Sequence, residues 1–259
     1  MQDSSKITTT QPLIPPLPKK VARHITRILS SEGGTVHSII RNPSQKPDIE
    51  SLGGRPIVQS IEDSSVEDLI QTIKSTNPNT VIWAAGAGAG SAERTQKVDY
   101  EGAVKAADAT AAAGITKRYI IISALDVRDR ENRPEPEWYD DADRDRSQKV
   151  WNAIGPYMRA KYAADKDLVE NNGRRGLEYT IVRPGGLSED AGTGKIDAGK
   201  VHLNRTIPRE DVARAVVEVI KNEGTKGLAF DLVGGDELSV KEAVEKVAKG
   251  RIDTFKGRY

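Results

Sequence analysis

From Val21 onward the chain alternates short runs of β-branched and aromatic residues with segments of helical periodicity, and no other feature constrains its fold as much. Val21, Ala22, Ile25, Ile28 and Leu29 recur at helical spacing, and Gly33-Gly34 ends that helix. "TVHSIIR" then reads as a strand closed by Asn42-Pro43, "RPIVQSI" as a strand, "SVEDLIQTIKS" as a helix and "TVIWAAG" as a buried strand. A long helix over "AERTQKVDYEGAVKAADATAAAG" follows, then the strand "RYIIISAL", the helix "YMRAKYAADKDLVENNG" and the strand "LEYTIVRPGGL", which runs into a glycine turn. A loop, the helix "REDVARAVVEVIKNE", the strand "GLAFDLVGG" and the helix "SVKEAVEKVAKG" complete the series. Strands separated by helices require crossover connections. The expectation is therefore an α/β fold: a Rossmann-like, doubly wound, mainly parallel sheet with helices on both faces.

Two segments depart from this rhythm. Residues 1–19 form an irregular, proline-rich segment in which Pro12, Pro15, Pro16 and Pro18 lack a backbone N–H and are poor choices for a central strand. Residues 20–259 then make a single domain, since no clear linker divides them. Within that domain, residues 126–156 form a long charged insertion after a strand. Trp138, Tyr139 and Trp151 supply it with apolar anchors. Two readings stay open: a solvated helix-loop packed by its aromatics, or a lid over a substrate.

Composition removes several function classes. Of 259 residues, 30% are charged, yet the formal net charge is only +1, which gives no electrostatic case for nucleic acid or a membrane surface. There is no cysteine, so disulfides, thiolate metal sites and cysteine nucleophiles are excluded. The histidines His24, His37 and His202 show no metal-ligand spacing, so no metal site is expected. A serine hydrolase would need a Gly-x-Ser-x-Gly elbow, and none is present. "MQDSSKITTTQP" lacks the basic and apolar regions of a signal peptide and no apolar run reaches membrane-span length, so a cytoplasmic location is expected.

In open parallel sheets, ligands bind at the carboxyl ends of the strands, near the switch in strand order. Arg41-Asn42 follows the strand expected to be second in a nucleotide-binding half. A guanidinium there suits the 2′-phosphate of NADP, whereas an acidic residue would suit the ribose of NAD. "AAGAGAG" follows a buried strand, and its small residues either let a cofactor lie against the backbone or simply form a tight turn. Tyr157 and Lys161 are four apart and share a helical face. An ammonium beside a phenol, whose ordinary pKa is about 10, stabilises the phenolate and favours proton exchange with a carbonyl or alcohol oxygen. Ser123, at the end of "YIIISA", is placed to hydrogen-bond the same oxygen.

The order of "RNPSQ", "AERTQKVDYEGAVKAAD", "YMRAKYAADKDLV", "YTIVRPGGLSEDAGTGKI", "IPREDVARAV" and "LVGGD" resembles the atypical short-chain dehydrogenase/reductases of the NAD(P)-binding, NmrA-like kind. The likeness runs from about residue 21 to 248, and "YTIVRPGGL" with "GTGK" is its specific signature. The resemblance implies that Ala84, Ala85, Gly86 and Ala87 line the cofactor, with Ser60 and Ile61 near its adenine. Pro184, Gly185 and Gly186 would pass near the nicotinamide, Arg41 would meet the 2′-phosphate, and Ser123, Tyr157 and Lys161 would form the active site. The implied activity is NADP-dependent reduction of a small carbonyl- or quinone-like molecule, with Trp138 helping to close the site. The alternative is a non-catalytic nucleotide sensor or pseudoenzyme.

One stretch departs from the family. Relatives carry an apolar strand and then Gly-x-x-Gly-x-x-Gly/Ala, whereas here the aligned residues read "PLIPPLPKKVA", with Pro16 and Lys19 in glycine positions. Those glycines let backbone amides approach the pyrophosphate; proline removes a donor and the Lys19 side chain crowds the approach. Weakened NADP binding is expected. Two origins stay open: an altered N-terminus joined to a family scaffold at Lys20, or a protein that has given up dinucleotide binding.

Overall fold

The structure, a computed structural model, describes residues 12–14, 21–88 and 91–259. In chain order the elements begin with β1 (Pro12–Ile14), α1 (Val21–Ser31), β2 (His37–Ile40), α2 (Lys46–Ser51), β3 (Arg55–Val58), α3 (Val66–Thr76) and β4 (Thr80–Trp83). Then come α4 (Ala92–Thr95), a wide π-type turn over Gln96–Gly102, α5 (Ala103–Ala113), β5 (Arg118–Ile122), α6 (Asp141–Glu170) and α7 (Asn172–Arg175). The chain finishes with β6 (Glu178–Pro184), β7 (Leu187–Ser188), β8 (Lys195–Gly199), β9 (Ile207–Pro208), α8 (Arg209–Lys221), β10 (Leu228–Ser239) and α9 (Val240–Gly250).

Eight strands form one sheet in the order β3-β2-β1-β4-β5-β6-β10-β8, all neighbours parallel except the antiparallel pair β10–β8. This is the expected doubly wound sheet, with its switch in strand order between β1 and β4. Period-two alternation explains the two cores. Ile82, Ile120 and Val182 face one side, where Ile25 of α1, Val216 of α8 and Val244 of α9 pack on them. Val81, Trp83, Tyr119, Ile121 and Ile181 face the other, against Ile73 of α3, Ala107 of α5 and Leu168 of α6. Strands buried on both faces read as unbroken apolar runs, as β4 and β5 do.

Three expectations need correction. The proline-rich segment was a poor candidate for a central strand, yet Pro12–Ile14 is β1, hydrogen-bonded between β2 and β4. The strand is short, and Pro12 occupies its first position, where a missing N–H interrupts the ladder least. Pro15, Pro16 and Pro18 lie outside the described residues. Second, the helix expected from Tyr157 starts earlier, inside the insertion 126–156, which is half irregular and half helical as its helix-loop reading expects. Its second half is the first arm of α6, which kinks at Ile154 (φ −129°, ψ 30°) just before Pro156 and then carries the expected helix. Third, the loop before α8 contains β8, whose Ile196 and Ala198 are buried against β10.

Candidate functional site

The second arm of α6 presents Tyr157, Lys161 and Asp165 at successive four-residue intervals, hence on one face, toward the carboxyl ends of β4 and β5. Lys161 is buried. Its Nζ donates to the Ile122 carbonyl at 3.1 Å and the Ala85 carbonyl at 3.5 Å, and pairs with Asp99 Oδ1 at 3.1 Å. Asp99 comes from the wide turn between α4 and α5, and its other oxygen accepts the Ala87 N–H at 2.9 Å. One carboxylate thus joins the lysine to the small-residue loop after β4. Burial alone would lower the Lys161 pKa, but Asp99 above all, with Tyr157 and Asp165, raises it beyond the ordinary lysine value.

Tyr157 is half-buried, and Lys161 Nζ stands 5.7 Å from its ring centroid. Burial pushes the phenol above its usual value; Lys161 pulls it down, and the Asp99 and Asp165 carboxylates push it up again. The lysine acts in the expected direction but does not prevail. Ser123, also buried, donates its hydroxyl to Asp165 Oδ2 at 2.6 Å. Burial pushes the Asp165 carboxyl up to about 6, against the downward pull of Arg183, Ser123 and Lys161. Asp165 Oδ1 is buried without a hydrogen-bond partner among the described residues. Asp99 and Asp165 were missed in the sequence. Asp165 repeats the spacing of Tyr157 and Lys161, a signal that could have found it; Asp99 reaches the site only through the wide turn.

Arg41, Asn42, Ser60 and Ile61 stand where expected, just past β2 and β3. Arg41 pairs with Glu62 at 2.9 Å, and Arg94 grips the same carboxylate with two nitrogens at 3.0 and 3.2 Å. Two cations on one anion leave a net positive cluster beside the strand ends. Burial raises the Glu62 carboxyl, but the two guanidiniums hold it below the usual range. Asn42 caps the following turn through the Ser44 N–H, Ser60 donates to Asp63, and the Ile61 carbonyl accepts from Lys105. These groups shape the rim.

On the other side of the switch, Pro184 and Gly185 continue the ladder through Leu125 N–H to the Pro184 carbonyl and Gly185 N–H to the Leu232 carbonyl. A Cβ at Gly185 would lie 3.0 Å from Val233 and 3.2 Å from the Arg205 carbonyl, so a side chain would crowd this crossing. The Gly186 carbonyl accepts from Ile207 N–H. Asp126, at φ 64° three residues past Ser123, is buried and receives Arg128 Nε, the Tyr139 and Ser147 hydroxyls and Trp151 Nε1. Trp138 donates to the Val201 carbonyl, and Lys200 and Arg258 each stand 5.1 Å from its ring. The insertion is therefore pinned to the body by its aromatics.

Asp140, Asp143 and His202 bring ligand-type atoms within 4.8 Å of one another, a grouping invisible in sequence spacing. Each buried oxygen of Asp143 is already used, one by the Leu203 N–H at 2.7 Å and one by His202 Nδ1 at 2.6 Å. Asp140 and Asp143 form the N-terminal capping box of α6, and His202 rests on Asp143.

The described residues fit a dinucleotide at both ends of the crevice. The loop after β4 is built from Ala84, Ala85, Gly86 and Ala87, and a Cβ at Gly88 (φ +65°) would meet open space within 4 Å, so the backbone there is approachable. The positive cluster suits the adenosine end, and the Tyr157–Lys161 pair suits a redox-active end. Pro16 and Lys19, on which the pyrophosphate contact turns, lie outside the described residues. Among the described residues no helix is long and apolar enough to cross a membrane.

Comparison with known proteins agrees with this fold. A family profile described as NAD(P)H-binding matches residues 19–223. A UPF0659 protein of Schizosaccharomyces pombe is 39% identical over 232 residues, covering 89% of this chain and 92% of the relative. An uncharacterized sugar epimerase, YhfK of Bacillus subtilis, is 35% identical over 82% of this chain and 88% of its own length. Among solved structures, a candidate NAD-dependent epimerase/dehydratase from Bacillus halodurans is 28% identical with a TM-score of 0.75, covering 92% of this chain and 99% of that one. The anaerobillin reductase ChuY of Escherichia coli, 21% identical with a TM-score of 0.68 over 88% of this chain and 99% of its own, shares the fold. With the strand order and these matches in agreement, the chain belongs to the NAD(P)H-binding family of atypical, NmrA-like short-chain dehydrogenase/reductases.

Proposed function

We propose that the chain is an NADP-dependent oxidoreductase that reduces a small carbonyl- or quinone-like molecule. The observation that carries this reading is the Lys161 ammonium, buried beside Tyr157 and hydrogen-bonded to the strand end that bears Ser123. A reduced nicotinamide held at these strand ends would supply the hydride for the substrate carbon. Tyr157 passes its phenolic proton to the substrate oxygen and takes its next proton from water. Lys161 holds the resulting phenolate by charge, and Ser123 orients the same oxygen. The Arg41–Glu62–Arg94 cluster supports preference for a 2′-phosphate, because its net charge is positive. The 35% identity to a protein named as a sugar epimerase is compatible with the same hydride chemistry on a hydroxyl-bearing carbon.

A second reading, a non-catalytic nucleotide sensor, is favoured by Pro16 and Lys19 in the glycine positions. Calorimetric titration with NADPH and NADH tests both. Tighter binding of NADPH, followed by carbonyl- or quinone-dependent oxidation of NADPH that Tyr157→Phe abolishes, supports the reductase. Binding without turnover across such a panel favours the sensor. No binding, rescued by restoring a glycine-containing loop at residues 15–20, identifies a disabled scaffold, and no binding by either chain refutes the cofactor assignment.

A further inference from the structure

Asp99 is a fully buried carboxylate that the sequence does not single out, and it stands in direct contact with the ammonium beside the candidate proton donor. Its position depends on the wide turn Gln96–Gly102, the kind of helix irregularity that recurs at functional sites. Without Asp99, Lys161 would present an uncompensated buried positive charge next to Tyr157, which would draw the proton off the phenol or off the lysine itself. With it, the pair of charges is neutral, and the phenol sits in buried surroundings that favour its uncharged form.

We propose that Asp99 is a positioning residue that neutralises Lys161 and so keeps the proton on the Tyr157–Lys161 pair, making the resting site a proton donor toward a substrate oxygen. The inference rests on the reductase reading and gives it a direction, since reduction of a carbonyl requires a proton to be delivered. The charged groups facing the pair are Asp99 from the wide turn and Asp165 from α6. Arg183 on β6 and Asp231 on β10 act on Asp165 from behind. Of these charged groups among the described residues, Asp99 alone touches the ammonium, which otherwise donates to backbone carbonyls. Its second oxygen holds the Ala87 N–H, so the carboxylate cannot swing away without releasing the loop after β4.

Carbon-13 NMR titration of full-length protein labelled at tyrosine Cζ and lysine Cε, with Tyr157→Phe and Lys161→Met assigning the two signals, reads the proton inventory directly. In Asp99→Asn the first proton should leave the Tyr157–Lys161 pair at least about one pH unit lower than in the unsubstituted chain, a tenfold change. In Tyr157→Phe, Lys161 should still titrate above an ordinary lysine, because its main partner is Asp99. An unchanged first step in Asp99→Asn overturns the proposal. So does a Lys161 that falls to the ordinary lysine value in Tyr157→Phe, a variant that leaves the buried ion pair intact should Asp99→Asn fail to fold. Failure of the reductase reading shows separately, as absent NADPH binding or turnover by the unsubstituted chain with the titrations as expected.

Discussion

Replacing Asp165 by asparagine should stabilise the protein at alkaline pH and leave it nearly unchanged at acid pH. The carboxyl is fully buried, and its pKa is pushed from 3.8 up to about 6 in the folded chain. A carboxyl whose folded pKa is raised costs stability when ionised. The cost is absent below the unfolded value, grows as pH rises from about 4 to about 6, and is complete above about 7. A shift of roughly two pH units, at 1.36 kcal/mol each, corresponds to about 3 kcal/mol at pH 8. Asparagine keeps an oxygen to accept the Ser123 hydroxyl, and the raised pKa already includes the charge-assisted part of that bond. The net expectation is Asp165→Asn more stable than the unsubstituted chain by about 3 kcal/mol at pH 8, with the gap closing toward pH 4. Urea denaturation of both proteins at pH 8, 6 and 4 measures it. Asp231, also pushed up to about 6, repels the Asp165 carboxylate, so removing that charge relieves Asp231 as well and acts in the same direction. A less stable Asp165→Asn at pH 8, or a difference that does not change with pH, would refute the reasoning. A destabilising buried carboxylate hydrogen-bonded to a candidate active-site serine is what a function-for-stability exchange looks like.

Other perturbations follow from the same geometry. At Gly102 an added Cβ would lie 2.9 Å from Trp83, so Gly102→Ala should force the indole to shift and cost about 1–3 kcal/mol by thermal or urea melting. Asp126→Ala strips the acceptor from Arg128, Tyr139, Ser147 and Trp151; it should cost about 2–4 kcal/mol and expose the segment 129–156 to limited trypsin digestion. Arg41→Ala should raise the Kd for NADPH about tenfold by calorimetry and leave that for NADH within about twofold, since only the former carries a 2′-phosphate.

The parallel sheet was legible because β4, β5, β6 and the start of β10 are buried on both faces and read as continuous apolar runs. The first arm of α6 was not. It buries Asp143 and Ser147 rather than an apolar stripe, so no hydrophobic period betrays it. β8 was hidden by the glycines around it, and β1 by a proline that only strand position makes tolerable. At the candidate site, Ser123, Tyr157 and Lys161 were found because two of them share a helix face and the third ends a strand. What the sequence did not offer was the charge balance. Asp99 lies far from Lys161 along the chain, and its contact exists only because a helix opens by part of a turn.

The brevity of β1 has a consequence for how the molecule comes apart. β1 stands between the β2–β3 edge and the rest of the sheet, and among the described residues its register pairs Leu13 and Ile14 with β2 and Pro12 and Leu13 with β4. Across this seam α1 leans on the opposite part of the molecule, packing its Ile25 and Leu29 into the core that Val212 and Val216 of α8 also fill. The outer strands are thus fastened to the main body more by a helix than by their own hydrogen-bond ladder. In native-state hydrogen exchange, β2 and β3 should open as a unit at lower free energy than β4, β5 and β6, and their protection should follow the docking of α1. A nucleotide bridging the ends of β2 and β4 would tie the two halves together, so ligand binding should register first as protection on that outer edge.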